Sequence, residues 1–513
     1  MGLLMGIDLG TSSVKALLMD EAGRVLGVSS AEYPILIPEP GAAEQDPHAW
    51  WKAAALAVRE TIHKSGQPAG RIKGIGFSGQ MHGMVPLDSG GDVVRPAIIW
   101  CDQRSRPQVD WIYEAVGKSR MDRIVLNPLY PGFLLTSLAW MRDQEPTLYR
   151  RLASVLLPKD YLRYRLTGTI GTEESDASST LAFDVSRRRW APELIQDLGF
   201  DAACFPPCAR STDVVGTVGT AASADTGLAV GTPVIAGGSD QPMQAVGNGL
   251  VAPGSISVTI GTGGQIYSVS DQAVYNPRLN THTFCNVVPD RWYVMAATLS
   301  AGLSLSWFRE SVLREKSFET LSSEAAEIPP GSEGLLFLPY LAGERTPHLD
   351  PDARAVFFGL TLKHNRAHLA RAVMEGVALS MRDCYDVLCA LGVRVDRIIG
   401  SGGGARSALW MQILADVLGR PIHTTQTSEQ ASFGAAVVAG VGVGVYPSIP
   451  EACSRLVRLN PRVTEPIDRN VRLYEERYRT FKALFESTRG LFALCAPAAT
   501  DGGRPPTRPG RRS

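Results

Sequence analysis

The chain has 513 residues, 44% of them hydrophobic and 20% charged, and its 51 Lys and Arg balance its 51 Asp and Glu. This length predicts two to four domains, and the composition excludes a mostly disordered chain. Because the formal net charge is zero, there is no bulk attraction to nucleic acid or to an anionic membrane. Neither is therefore expected as a partner.

The two ends of the chain differ in character. The first residues have neither the basic region nor the long apolar stretch of a secretory signal, and no apolar run is long enough to predict a transmembrane helix. The cysteines are scattered, which favours reduced thiols and a cytoplasmic protein. Residues 496–513 are rich in Pro, Gly and Arg without apolar periodicity, which predicts a disordered basic tail.

In chain order, the first predicted elements form a hairpin rather than a βαβ unit. Residues 5–10 predict a strand that ends in a tight turn, and residues 14–19 predict its return strand. Asp46 and Pro47 are the residue types expected at the start of a helix, as N-cap and in the first turn. The further elements predicted in this half are strands at 72–77, 93–100 and 232–236 and a helix that ends at Leu166.

A second copy of the hairpin pattern follows later in the chain. Residues 254–260 predict a strand that runs into Gly261 and Thr262, and residues 265–269 predict the return strand. Two copies of one hairpin predict two similar α/β domains, residues 1–249 and residues 250–490. The elements predicted after the second hairpin are a long amphipathic helix at 369–391, a strand at 397–400, a loop at 401–405 and helices at 409–418 and 431–439.

The turn of the first hairpin carries groups suited to phosphate. Gly10 lets the backbone bend close to a ligand, and the hydroxyls of Thr11 and Ser12, with backbone N–H groups, could hold phosphate oxygens. Asp8, at the strand end, could hold Mg²⁺ or its waters. The alternative is an ordinary Gly-Thr hairpin with no bound ligand. The second copy of the hairpin makes this alternative less favoured. Two facing hairpins could clamp the β- and γ-phosphates of a nucleotide.

Two glycine-rich segments lie in the second half. Gly402, Gly403 and Gly404 stand between a predicted strand and a predicted helix, as in a nucleotide-type loop, although neither a Walker A motif nor G-x-G-x-x-G fits. A plain loop is the alternative. Residues 434–436 (GAA) predict a helix packed closely by small residues, or else the wall of a flat adenine site.

Two strand ends in the first half carry candidate reactive groups. Asp240 follows two glycines at a strand end, where a carboxylate can act as general base for a hydroxyl or cap the next helix. Gln80, Met81 and His82 lie between glycines on another strand-end loop. They could contact a ligand, or the histidine could be structural.

Taken in order, these motifs resemble the FGGY carbohydrate kinases. No single motif is decisive, but the ordered set is highly specific and runs over nearly the whole chain. The matching segments are GIDLGT at 6–11, EQDP at 44–47, GQMHG at 79–83, LPKDY at 157–161, GGSDQ at 237–241, Gly261 and Thr262, GERTP at 343–347 and GGGAR at 402–406.

The resemblance implies an α/β fold of two actin-like (ribonuclease H-like) ATPase domains with a cleft between them, in which sugar binds mainly to the first domain and ATP to the second. It also implies a homodimer. The implied roles are Asp240 as catalytic base, Asp8 as catalytic residue and Mg²⁺ site, Gln80, Met81, His82, Trp100, Asp102 and Gln241 as sugar-binding residues, and Thr11, Ser12, Gly261, Thr262, Gly402, Gly403 and Gly404 as ATP-binding residues.

The implied activity is ATP- and Mg²⁺-dependent phosphorylation of a ketopentose, with D-xylulose to D-xylulose 5-phosphate as first expectation. Members acting on D-xylulose usually carry Asn where this chain has Gln241, and the extra methylene would shift a bound ligand. Gly263 also replaces a usual serine in the second hairpin. The alternatives are a kinase for ribulose, gluconate, glycerol or an alditol, and a non-catalytic nucleotide switch, which would not need a sugar loop.

Overall fold

The computed structural model describes residues 2–315 and 317–495, in two α/β halves. The basic tail predicted at 496–513 lies outside the described residues. The strands of the N-terminal half are β1 (Leu3–Leu9), β2 (Ser13–Asp20), β3 (Val25–Glu32), β4 (Glu44–Gln45), β5 (Ile72–Gly79), β6 (Val85–Leu87), β7 (Ala97–Ile98), β8 (Ser154–Leu156), β9 (Thr172–Glu173), β10 (Phe183–Asp184), β11 (Arg189–Trp190), β12 (Cys208–Ala209), β13 (Val214–Thr217), β14 (Pro233–Ile235) and β15 (Gly238–Ser239). Its helices are α1 (Pro47–Ser65), α2 (Arg106–Val116), α3 (Lys118–Val125), α4 (Leu134–Gln144), α5 (Pro146–Tyr149), α6 (Pro158–Thr167), α7 (Glu174–Ala177), α8 (Pro192–Asp197), α9 (Thr220–Thr226) and α10 (Asp240–Gly247).

The main N-terminal sheet runs in the order β13-β14-β5-β1-β2-β3, and β15 also pairs with β5. β1 and β2 form the predicted antiparallel hairpin, in which Asp8 lies opposite Lys15. β1 and β15 both run parallel to β5, with Asp8 opposite Ser78 and Gly238 opposite the same Ser78. The three parallel strands therefore end at one edge of the sheet.

The C-terminal half repeats this arrangement. Its strands are β16 (Gly254–Ile260), β17 (Gly264–Ser270), β18 (His282–Cys285), β19 (Trp292–Thr298), β20 (Leu336–Leu338), β21 (Val356–Phe358), β22 (Val395–Ser401) and β23 (Ile422–Thr424), and its helices are α11 (Gly302–Trp307), α12 (Phe318–Glu327), α13 (Arg366–Ala390), α14 (Ala408–Leu418), α15 (Gln430–Gly442), α16 (Ile449–Leu456) and α17 (Asp468–Phe492). The sheet order is β18-β19-β17-β16-β22-β23. β16 pairs antiparallel with β17 and parallel with β22, as β1 does with β2 and β5. The predicted repeat of the hairpin is confirmed.

Helix α15 joins the halves, because it packs on α10, β1 and β5. A Cβ on Gly434 would lie 2.0 Å from the carbonyl oxygen of Met243, and one on Gly6 would lie 1.8 Å from that of Ser432. The prediction of a helix packed closely by small residues is confirmed. The alternative, an adenine-site wall at 434–436, is wrong because α10 fills that space.

The strand predicted at 93–100 is wrong in extent, since β7 (Ala97–Ile98) is the one named strand there and Val93 forms only an isolated bridge to Leu87. Pro96 has no N–H for a ladder. The side chain of Arg95 is buried and forms ion pairs with Glu44 and Glu145. The other predicted helices and strands are present with bounds shifted by a few residues. Within the described part of the chain, no helix is long and apolar enough to cross a membrane.

Candidate active site

Asp240 stands at the sheet edge where β1, β5 and β15 end. It is the first residue of α10, and Ser239 occupies the N-cap position, so Asp240 does not cap this helix. Its Oδ1 is buried and has no hydrogen-bond partner among the described residues. Burial, and then the negative charge of Asp8, raise the pKa of Asp240 to about 7. A carboxyl group that titrates near neutral pH is suited to general-base chemistry.

Asp8 lies on the neighbouring strand, and its position is fixed by a hydrogen bond. The Ser78 hydroxyl donates to Oδ1 of Asp8 over 2.7 Å. Burial raises the pKa of Asp8, while the hydroxyl of Ser78 and the charge of Lys15 act against that rise. The Nζ of Lys15 lies 2.7 Å from Oε2 of Glu429, which precedes α15. Sequence reasoning missed Lys15, although its place opposite Asp8 follows from hairpin register.

His82 is held in a left-handed backbone conformation, with φ at 73°. Its ring stacks on Phe133 with centroids 3.6 Å apart, and its Nδ1 lies 2.9 Å from the carbonyl oxygen of Ser179. A carbonyl only accepts hydrogen bonds, so Nδ1 carries the proton and Nε2 remains an acceptor. Burial, with a contribution from the Arg345 charge, lowers the pKa of His82 to about 3. The imidazole is therefore neutral at physiological pH.

The rest of the predicted sugar loop is buried beside His82. The hydroxyl of Tyr293, from the C-terminal sheet, lies 3.6 Å from the sulfur of Met81. Gln80 donates from Nε2 to Oε1 of Gln45 over 2.9 Å, and its own Oε1 is buried without a partner in the described ranges. Gln45 in turn donates to the carbonyl oxygen of Thr11 over 2.6 Å. A chain of amide contacts thus connects the sugar loop to the first hairpin.

The remaining predicted sugar residues differ in their surroundings. Trp100 is half-buried and donates from Nε1 to the Thr11 hydroxyl over 3.1 Å. Gln241 follows Asp240 in α10 and is also half-buried. The Asp102 carboxylate is buried and accepts from the Ala43 N–H over 2.8 Å and from Nε of Arg104 over 2.9 Å. These two contacts are to Oδ2, and Oδ1 accepts from the Arg104 N–H over 2.9 Å. Both oxygens of Asp102 are therefore engaged, and its role as a sugar ligand stays a prediction.

Arg345, which belongs to the C-terminal half, lies near His82, and sequence reasoning also missed it. Its guanidinium lies over the ring of Tyr130, 4.9 Å from the centroid. Burial, and then the charge of Arg345, lower the pKa of His282, whose Nδ1 lies 3.1 Å from the side-chain oxygen of Asn127. The one signal in the sequence was the segment GERTP at 343–347, which contains Arg345 and matches the family, but the resemblance gave this arginine no role. It places a positive charge near His82 and His282.

A cavity of about 710 Å³ opens between the second hairpin and the glycine loop. It brings together Gly261, Thr262, Gly403 and Gly404, and its other lining residues include Ile260, Leu303, Phe318, Ser322, Met374, Arg406 and Trp410. Gly402 lies just before this lining, with φ at 77°, and a Cβ there would be 2.5 Å from the Ile260 carbonyl oxygen. Thr11 and the exposed Ser12 lie in the turn of the first hairpin.

The two sheets share one topology, each contains a hairpin with glycine in its turn, and a buried carboxylate stands at the edge of the N-terminal sheet. This arrangement is that of a two-domain sugar kinase of the actin-like class. Models of the N- and C-terminal domains of the FGGY family of carbohydrate kinases match residues 3–247 and 256–443. The chain belongs to the FGGY family of carbohydrate kinases, whose phosphoryl donor is ATP. The exact ends of the two domains, predicted at residues 249 and 490, stay predictions.

The chain is similar over nearly its whole length to proteins named xylulose kinase. It is 36% identical to that of Bacillus subtilis over 96% of this chain and 98% of the relative, and 35% identical to that of Escherichia coli over 96% and 100%. The crystal structure of xylulose kinase from Rhodospirillum rubrum superposes with a TM-score of 0.88 at 30% identity, covering 96% of this chain and 100% of that one.

Proposed function

We propose that this carbohydrate kinase transfers the γ-phosphoryl group of ATP to the terminal hydroxyl of D-xylulose, giving D-xylulose 5-phosphate. The observation that carries the proposal is the similarity to xylulose kinases over 96% of the chain. The loop with Met81 and His82 and the carboxylate of Asp240 support it, because they would serve as a sugar-binding surface and a base. A cytoplasmic location and a homodimer are further proposals that rest on the family alone.

Asp240 would accept the proton of the attacking hydroxyl. Its Oδ1 has no competing hydrogen bond in the described residues and is held at the first turn of α10, which limits its movement. Nε2 of neutral His82 would accept a hydrogen bond from another sugar hydroxyl, and the unpartnered Oε1 of Gln80 offers a second acceptor. Acceptors at these fixed positions would orient one hydroxyl toward Asp240.

The two hairpins would position the nucleotide phosphates. Backbone N–H groups and the hydroxyls of Thr11, Ser12 and Thr262 would bind phosphate oxygens, while Lys15 lies beside Asp8 to offset negative charge. Phosphoryl transfer depends mainly on positioning and charge stabilisation, so these groups suffice without a covalent intermediate. Backbone and hydroxyl donors in a cleft also need no positive net charge on the whole protein.

The residues present fit a magnesium ion carried mainly by the nucleotide. Mg²⁺ takes oxygen ligands, usually one or two carboxylates with phosphate oxygens and waters. Asp8 would hold it through the carboxylate that Ser78 orients. No group of three or more His, Cys, Asp or Glu suited to a metal occurs in the described ranges, so Asp8 would share the ion with the phosphates. When bound, Mg²⁺ would neutralise phosphate charge.

A coupled assay of ATP consumption with a panel of substrates tests the proposed function. D-Xylulose should give a kcat/KM at least about tenfold above D-ribulose, D-gluconate, glycerol and xylitol, because only the right pattern of hydroxyls satisfies the buried acceptors. A higher value for another polyol would overturn the assignment of D-xylulose and implicate Gln241. ATP hydrolysis that does not respond to any sugar would overturn the kinase assignment.

The pH profile tests the base separately. Asp240 must be ionised to accept a proton, and its pKa is raised to about 7. The value of kcat/KM for the sugar should therefore fall as pH decreases through about 7, approaching about tenfold per pH unit below it. Measurement from pH 5 to 9 with ATP saturating locates this limb. A kcat/KM that stays constant down to pH 5, as for a carboxyl group with the ordinary pKa of 3.8, would contradict the assigned environment.

A further inference from the structure

Directly behind the sugar loop and the base lies a cluster of buried charges that the proposed mechanism does not use. The Nζ of Lys159 is 2.8 Å from Asp160, 3.2 Å from Asp176 and 3.4 Å from Glu173, and all four side chains are fully buried. A Cβ on Gly79 would lie 2.7 Å from the Cβ of Lys159, so the cluster touches the sugar loop. Burying charges costs stability, and one use that can retain them is to fix a local geometry.

Both carboxylate oxygens of Glu173 are committed to neighbouring donors. Oε1 accepts from the Ser175 hydroxyl over 2.9 Å and from the Asp176 N–H over 2.8 Å. Oε2 accepts from the Ser175 N–H and from the Ser211 hydroxyl, each over 2.8 Å. The Ser175 hydroxyl hydrogen therefore points at Glu173, and the lone pairs of its oxygen face the other way.

Those lone pairs face the loop that carries the base. Oγ of Ser175 accepts a hydrogen bond from the N–H of Ser239 over 3.0 Å and lies 3.3 Å from the Ser239 hydroxyl oxygen. Ser239 is fully buried and directly precedes Asp240. Its N–H would otherwise be a buried donor without an acceptor, which is costly. Together with the pairing of β15 on β5, this side-chain oxygen thus fixes the backbone that leads into Asp240.

We propose that Ser175, oriented by buried Glu173, is the positioning residue for the catalytic base. It is fully buried with its hydroxyl bonded to Glu173 and Ser239, so it would act through the backbone of Ser239 rather than on a substrate. The inference rests on the proposed function, because it assumes that Asp240 receives the proton. Ser175 fixes where that carboxylate sits, and its loss displaces the base while both substrates still bind.

The chain offers a closely matched control. Ser178 lies four residues from Glu174 in the same segment, is fully buried, and its Oγ also accepts one backbone N–H over 3.0 Å. The donor there is Cys285 of β18, not the base loop. Ser178 also donates from its hydroxyl to the Ser175 carbonyl over 2.8 Å, so Ser178→Ala removes one contact to the Ser175 backbone as well. Only Ser175→Ala removes the oxygen that accepts from the Ser239 N–H.

The test compares kcat and both KM values of the full chain for these variants, with thermal melts to show that each is folded. Ser175→Ala should lower kcat about 10- to 100-fold with both KM values within about threefold, as expected for a displaced catalytic group. Ser178→Ala should keep kcat within about threefold. Ser175→Thr, which retains the oxygen, should recover most of the lost kcat. If Ser175→Ala is too unstable, Ser211→Ala, which loosens Glu173 only, should show a smaller fall in kcat.

Three results would overturn the inference, and the last of them is distinguishable from the first two. Equal kcat for Ser175→Ala and Ser178→Ala, in a protein whose wild type phosphorylates sugar, would overturn the positioning role alone. A loss in Ser175→Ala confined to KM would do the same. A wild-type protein without sugar-dependent activity would overturn the proposed function and this inference together.

Discussion

Replacing Asp240 with asparagine should lower kcat by about 10²- to 10⁴-fold, the usual contribution of a general base. Asparagine has nearly the same shape as aspartate but cannot take a proton from the attacking hydroxyl. The half-buried position at the start of α10 would be preserved, so sugar binding should change little. Steady-state kinetics measure the first effect, and calorimetric titration with D-xylulose measures the second.

A second Asp→Asn variant controls for loss of charge at a helix start. Asp46 is the N-cap of α1 and accepts from the His48 N–H over 2.9 Å. Asparagine caps helices about as well as aspartate, so Asp46→Asn should leave kcat and melting temperature unchanged. Residual turnover above a tenth of wild type in Asp240→Asn, or equal losses in both variants, would contradict the assignment of Asp240 as base.

Local patterns predicted the parts of the site that depend on neighbours in sequence. The hairpin at Asp8 follows from apolar strands on both sides of a glycine turn, and the same pattern at Gly261 gave the second hairpin. The start of α1 at Asp46 and Pro47 is equally local, since a cap depends on the next few residues. For these features the sequence pattern and the structure agree because both depend on short-range hydrogen bonds.

Contacts between distant residues could not be predicted in the same way. Ser175 and Ser239 are 64 positions apart, and only the folded sheet edge brings them together. The role of Asp102 as a sugar ligand is implied by the resemblance alone and stays a prediction, while its contact with Arg104 is observed. Arg345 lies over Tyr130, which belongs to the other half of the molecule, so no local signal could place it near the predicted sugar loop.

Gly434→Ala should lower the apparent melting temperature by about 2 to 10 °C and should also lower kcat. The added Cβ would lie 2.0 Å from the carbonyl oxygen of Met243, a backbone atom that cannot rotate away, so α15 and α10 must separate. Overpacking of this kind costs about 1 to 3 kcal/mol, which gives a shift of that size for a domain of some 240 residues. Thermal melts and steady-state kinetics on the same preparations measure both effects.

The matched control is Gly490→Ala in α17. A Cβ there meets nothing within 4 Å, so the change should stabilise the helix by about 0.5 to 1 kcal/mol. Melting curves and kcat that match between the two variants would contradict the close packing of α15. The expected loss of kcat in Gly434→Ala has a structural cause, because Met243, whose carbonyl the new Cβ would meet, lies one turn after Asp240 in α10. Displacing that turn would move the carboxylate that we propose as the base, so α15 would contribute both to the joining of the halves and to the position of this carboxylate.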